Sequence, residues 1–223
     1  MSAGPGLARM AGLGYLTMAV TSAFWFGTMQ SLRSGGDAAV LGHIRDARLV
    51  FELSILAGTL GFIAYLGTAA LLYRAYSAEA GVAVGLLFAL VVASVPLSMA
   101  AIGRQMELLS LLDATGPAAQ DPQTQVALLV RGFDSLMRLS SLFWGLWLFP
   151  LGWLAIRTGG LSRMVGAFLT LSGLGYLLGF AEPLLATSLA LPPPAQTAIA
   201  GVSVLGELVA TVWLLLGAGR RSA

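Results

Sequence analysis

The sequence predicts an all-α integral membrane protein: a bundle of six transmembrane helices, with the third and fourth extended on the outer side. Three observations predict it. Of 223 residues, 57% are hydrophobic and only 10% are charged, whereas soluble domains carry about 25% charge. Mean hydropathy is +0.86. Six apolar stretches approach the roughly 20 residues that an α-helix, rising about 1.5 Å per residue, needs to cross about 30 Å of hydrocarbon. Alternation of period two is absent, which argues against a β-barrel. Hydrocarbon offers the backbone no hydrogen-bond partners, so the crossing segments must be helical.

The stretches cover approximately 10–31, 51–73, 82–102, 139–156, 164–187 and 197–218, within one domain over 1–223. The first, opening "MSAGPGLARMAGLGYL", lacks a short apolar segment with a small-residue cleavage site and is long enough to span, so it reads as a retained helix. "RAYSAEAG" (74–81) joins the second stretch to the third, which continues past its boundary through "GRQMELLSLLD". After "DATGPAAQDPQTQ", the run "VALLV" (126–130) leads into the fourth without a breaker, so the two helices project as a hairpin. "RTGGLSR" (157–163) and "PPPAQ" (192–196) separate the last three. Pro183, in "GFAEPLL", removes a donor and leaves the Gly179 carbonyl without its helical partner, so the fifth helix should kink there. Pro96 and Pro150 do the same for Val92 and Leu146.

Six crossings put both termini on one side. That side holds Arg9, Arg74, Arg157, Arg163, Arg220 and Arg221. On the other side, Arg33, Arg45, Arg48, Arg104 and Arg131 are interleaved with Asp37, Asp46, Glu107, Asp113 and Asp121. The arginines in the short joins tip the positive-inside balance and make both termini cytoplasmic. Tyr73, Tyr76, Trp153 and Trp213 then fall near the inner interface, and Trp25 and Trp144 towards the outer one, as lipid anchors. Every basic residue is arginine and the chain is rich in Ala, Gly and Leu, which points to a bacterial cytoplasmic membrane.

Missing residue types exclude much chemistry. Without lysine there is no Schiff base, and without cysteine no disulfide, thiol nucleophile or cysteine-ligated cluster. His43 is the single imidazole, which excludes histidine-clustered iron, bis-His haem and His-rich zinc within one chain. No phosphate-binding motif occurs and no soluble segment is long enough to carry one. The expected cofactor is none, and no nucleic-acid partner is expected.

The polar residues within or beside the spans are the candidates. Arg131, Asp134 and Arg138, in "RGFDSLMR", share one helical stripe that Ser141 and Gly145 continue inward. Asp134 before Arg138 is the favourable order for an i,i+4 pair, worth roughly 0.3–0.5 kcal/mol when exposed. They read either as a solvated helix end or as an anion-attracting rim. Glu52 opens the second span from outside, and Glu182 lies towards the outer end of the fifth. Glu207 is the sharpest signal, about 15 Å into the last span and so near the midplane. Ser203 and Thr211 stand one turn to either side of it. A carboxylate at that depth costs about 2.5–3.5 kcal/mol and should face the bundle interior, neutral or paired. Gly175 and Gly179 form a GxxxG, most simply a close helix contact. "GLGYL" occurs at 12–16 and again at 173–177. His43 reads as a loop or interfacial histidine rather than a ligand.

The stretches "FWGLWLFPLGWLAIRTGGLSRMVGAFLTLSGLGYLL" (143–178), "LARMAGLGYL" (7–16) and "GELVATVWLLL" (206–216) resemble the bacterial membrane family catalogued as domain of unknown function 4386, over nearly the whole chain. The resemblance implies a compact multi-helix membrane protein and carries no activity or ligand with it. Glu207 falls at a family-like acidic position. Many members place a histidine near the fourth span, where this chain has none.

Three functions remain open. One is binding or transport of a small hydrophobic or anionic molecule, with Arg131, Asp134, Arg138, Ser203 and Thr211 as ligand contacts above Glu207. The second is a membrane enzyme using Glu207 with Glu182 or Glu52 for acid/base work on a lipid or isoprenoid, which needs two carboxyls in different environments. The third is a structural or regulatory subunit, a homo-oligomer or the partner of another membrane protein. In each case the lipid bilayer is the first partner.

Overall fold

The computed structural model describes residues 5–113, 121–158, 161–185 and 192–216. Among them every regular element is helical. Helix α1 covers Pro5–Leu32 and stops at "RSGG", where Gly35 and Gly36 take φ of 92° and 85°, a left-handed conformation that a residue without Cβ adopts freely. A 3₁₀ turn, Asp37–Ala39, and the short α2, Val40–Asp46, lead to α3, Arg48–Leu112. His43 of α2 sits with Nδ1 2.9 Å from the Leu32 carbonyl oxygen, so the lone imidazole closes the end of α1.

Helix α3 has 65 residues and would be about 97 Å long if straight. Instead, Ala80 has φ −144° and ψ 36°. Arg48 at one end donates to both carboxylate oxygens of Asp113, just past the other end, at 2.8 and 2.9 Å. The chain therefore reverses at Ala80, and its two limbs, 48–79 and 81–112, lie antiparallel. Of the polar join expected over 74–81, only Ala80 leaves helical geometry. The Ala and Glu before it are good helix formers and prolong the first limb.

Helix α4 covers Pro122–Thr158 and starts earlier than the apolar run implies. Asp121, at φ 51°, accepts the Thr124 backbone N–H at 3.2 Å, and Pro122 supplies the preset φ of a first helical residue. Hydrogen bonds from Thr124 hold the Asp121 carboxyl below its usual range. Helix α5 covers Leu161–Ala181 and α6 Pro193–Leu215. The kink expected at Pro183 is absent because α5 ends before it. The Leu184 and Leu185 N–H groups both return to the Ala181 carbonyl at 3.0 Å, closing the helix with a turn. Pro96 and Pro150 do lie inside their helices.

Among the described residues four helices are long and apolar enough to cross a membrane: Arg48–Leu112, Pro122–Arg157, Arg163–Ala181 and Pro193–Leu215. This is the make-up of a multi-pass membrane protein. Leu56, Ile63 and Met164 are 64%, 59% and 71% exposed, so large apolar side chains face outward towards lipid. Around the bundle α1 packs on α3, α3 on α4, α4 on α5, α5 on α6, and α6 returns to α1. Lipid is as apolar as leucine, so close packing rather than hydrophobic force joins these helices. At the α4–α5 seam a Cβ on Gly145 would stand 3.0 Å from the Gly173 carbonyl oxygen.

Three tryptophans depart from their expected place at the lipid interface, Trp144 among them because its indole nitrogen is buried. Trp25 is fully buried and Trp213 is 7% exposed. The Trp25 indole N–H donates to Gln105 Oε1 at 2.6 Å, and that partner, 80 residues away, draws the ring inward. Trp153 is 41% exposed, and the Arg157 guanidinium sits 4.8 Å from its ring centre. Arg220 and Arg221 lie outside the described residues.

Candidate functional site

The helix ends near Arg33, Arg48 and Arg104 carry a set of ion pairs. Arg33 grips Asp134 with both terminal nitrogens at 2.8 Å, tying the end of α1 to α4. Arg48 donates to Glu52 at 2.9 Å as well as to Asp113. Arg104 bonds Glu107 at 2.9 Å. The expected Asp134–Arg138 pair is therefore not made: a planar guanidinium from another helix binds a carboxylate at two points, which a single-turn neighbour cannot match. Arg131 and Arg138 are exposed and make no ion pair among the described residues. Glu52 belongs to this end and is held by Arg48.

Glu207 stands apart. It is half-buried on α6, and its Oε1 accepts the Tyr176 hydroxyl of α5 at 2.7 Å. It lines a chamber of about 520 Å³ to which α1, α3, α4, α5 and α6 all contribute. Phe26, Phe62, Tyr65, Trp144, Trp147 and Tyr176 form much of the wall. The rings brace each other: Trp147 meets Tyr65 edge-on at 4.9 Å, and Trp144 meets Tyr176 edge-on at 6.3 Å. Two polar groups of this wall, the Tyr65 hydroxyl and the Trp144 indole N–H, are buried without a hydrogen-bond partner among the described residues. Tyr65 is only 2% exposed. A buried donor left unpaired costs about 1–3 kcal/mol, which sets these two groups apart from the paired polar groups of the interior.

One side of the chamber is open. Ala23 and Phe26 on α1, and Val204 and Leu208 on α6, line it and are exposed. At the other end of this seam the helices touch: a Cβ on Gly12 would lie 2.7 Å from the Leu215 nitrogen. The α1–α6 seam is thus closed at Gly12 and open beside Glu207, facing the surface where lipid lies.

A second cavity, of about 400 Å³, lies among α4, α5 and α6. Glu182, Gln196, Ser141 and Ser203 line it, and Gln196 Nε2 donates to Glu182 at 3.2 Å. It shares Tyr176 and Val204 with the chamber, so the two cavities adjoin and these residues border both.

The expected candidates thus separate. Glu207 is in the chamber. Glu182 and Ser203 are in the second cavity, where the Ser203 hydroxyl donates to Ile199 O at 3.0 Å. Thr211 is 3% exposed and returns its hydroxyl to the Glu207 carbonyl at 2.8 Å, supporting the helix. Arg131, Asp134, Arg138 and Glu52 line neither cavity. Of the GxxxG, only Gly175 makes a close contact, with Ser203 of α6. Among the described residues no group of acidic residues and histidine is placed to hold a metal ion.

The aromatic wall is what sequence reasoning missed, although a trace of it was present. The two "GLGYL" copies place Tyr15 edge-on to Trp147 at 5.4 Å and Tyr176 edge-on to Trp144. In each copy the paired glycines lie against two neighbouring helices while the tyrosine turns inward. The repeat is a packing device: its second copy puts Tyr176 in the chamber wall, and its first puts Tyr15 behind Trp147.

The sequence model of one family, described as Domain of unknown function (DUF4386), matches residues 10–217. No curated protein and no solved structure matches the chain.

Proposed function

The chain belongs to the DUF4386 family, whose description assigns no activity, and from its own cavities we propose that it binds and carries a small amphiphilic molecule within the membrane. The observation that carries this reading is the Glu207 chamber: an aromatic-walled space of about 520 Å³ with a carboxylate and two unpartnered buried donors in its wall. Ligand sites are mostly apolar concavities of roughly 300–1,000 Å³ with a few placed polar groups. The apolar body of the ligand lies against Trp144, Trp147 and Phe62, and its polar head reaches Glu207 and the Tyr65 hydroxyl. Admission is sideways from lipid, between Ala23 and Val204.

The shared border supports carriage over static binding. Rotation of the Tyr176 ring joins the chamber to the Glu182 cavity and breaks the hydrogen bond to Glu207, so movement of the ligand and release of the carboxylate are one event. The acid/base alternative loses its geometry, because Glu182 and Glu52 do not share the chamber with Glu207. In this reading each limb of α3, about 48 Å long, crosses separately, and α1 completes six crossings. The ion-paired end lies outside and both termini lie in the cytoplasm of a bacterial cell.

The test is mass spectrometry of organic-extractable material carried by protein gently purified from its native membrane, compared with an Ala23→Trp variant that plugs the opening. One compound at stoichiometric yield, lost in the variant, is expected. Bulk lipid alone in both preparations overturns the reading.

A further inference from the structure

We infer that the head of the chamber's occupant is positively charged: an amine or quaternary ammonium on an apolar body. This rests on the reading of the chamber as a ligand site and adds the sign of the ligand's charge.

The argument is one of complementarity. Among the described residues Glu207 is the single carboxylic acid in the lining, and no basic residue lines the chamber. The arginines that could neutralise it are at the helix ends, where Arg33, Arg48 and Arg104 are already engaged with carboxylates. Arg131 and Arg138 line neither cavity. Within the chamber Glu207 has one hydrogen bond, from Tyr176 to Oε1, and Oε2 has none among the described residues. A phenol can share a proton but cannot supply a full positive charge.

The rings point to the same sign. An aromatic face carries partial negative charge and attracts a cation within about 6 Å of its centre, most strongly for Trp. Trp144, Trp147, Tyr65 and Tyr176 come from three helices to enclose the space beside Glu207, and their edge-on contacts fix them as walls. Carboxylate plus indole and phenol rings is an arrangement that a quaternary ammonium satisfies without donating a hydrogen bond. An anion would meet the Glu207 carboxylate with no arginine in the lining, among the described residues, to offset it, so the anionic ligand expected from "RGFDSLMR" does not fit here.

Protein in lipid nanodiscs is titrated with octyltrimethylammonium, 1-octanol and octyl sulfate, following tryptophan fluorescence, for wild type, Glu207→Gln, Glu207→Asp and Ala23→Trp. Comparing variants in the same lipid cancels partition of the probe into the bilayer, and the melting temperature of each variant reports its fold. The expected result is that the cation binds wild type at least about tenfold more tightly than Glu207→Gln, with Glu207→Asp restoring part of the preference. Octanol should bind both alike and octyl sulfate neither. Equal binding of the cation to wild type and Glu207→Gln, or a preference for octyl sulfate, overturns the charge assignment. The chamber reading survives that result if octanol binds saturably and Ala23→Trp abolishes it. Absence of saturable binding by every probe overturns both.

Discussion

At the ion-paired end, Asp134, Asp113, Glu52 and Glu107 each receive a guanidinium nitrogen at 2.8 or 2.9 Å. In the chamber, Glu207 receives only a phenol. The same functional group is thus used in two ways. Where the protein supplies the counter-charge, the carboxylate is held by an arginine, across helices at Asp134 and Asp113 and within one helix at Glu52 and Glu107, and has little left to offer a ligand. Where it supplies none, and walls the site with aromatic faces, the carboxylate is available to something that arrives from outside.

Substitutions can sharpen or break this contrast. The largest effect on stability belongs to Trp25→Ala. It empties a fully buried site, strands Gln105 beside α1, and is expected to cost roughly 3–5 kcal/mol. Thermal unfolding in detergent measures it. A loss below about 1 kcal/mol would show that α1 is not secured at this end and would weaken the structural half of the comparison.

Asp134→Asn comes next. The Arg33–Asp134 pair has good two-point geometry, but its side chains are 35% and 37% exposed, so its loss is expected to lower stability by at most about 1 kcal/mol. Ligand binding should not change. Altered binding would move the site towards "RGFDSLMR" and break the comparison.

Acid supplies a smaller effect. Hydrogen bonds from Arg48 hold the Asp113 carboxyl below its usual range. Its folded pKa is therefore lower than its unfolded one, near 3.9, and the stabilisation is complete above that value and disappears as pH falls through the folded pKa. Melting temperatures taken between about pH 6 and pH 2.5 should place wild type above Asp113→Asn at the top of the range, with the two converging at the bottom. A constant gap would mean that Asp113 contributes through packing instead of charge.

Glu207→Gln should have the smallest effect on stability. Glutamine keeps an acceptor for Tyr176, so unfolding should match wild type within scatter while probe binding changes. If this variant unfolds as readily as Trp25→Ala, Glu207 is a fastening and the proposed role fails.

Much of this was legible in the chain. Apolar run length located the helices, and the depth of Glu207 singled it out. Asp121 and Pro122 announce the start of α4 by local capping chemistry, although the apolar pattern drew attention further along. What local reading could not supply is partner choice. Asp134 has Arg138 one turn away and Arg33 about a hundred residues away, and sequence proximity favours the wrong one. Trp25 has the profile of an interfacial anchor until Gln105 is brought beside it.

The sequence by itself determined that the chain is helical, lipid-facing, devoid of lysine, cysteine and clustered histidine, and carries one glutamate deep in its last helix. Those properties follow from composition and from the 1.5 Å rise per residue, which need no knowledge of neighbours. Only the tertiary structure decided that Glu207 lies among rings from α1, α3, α4 and α5, that Tyr176 borders both its chamber and the cavity of Glu182, and that the α1–α6 seam opens to lipid. Aromatic residues on separate helices have no mutual periodicity. Their convergence depends on how helix faces interlock in a medium where close packing, not water, selects the contacts.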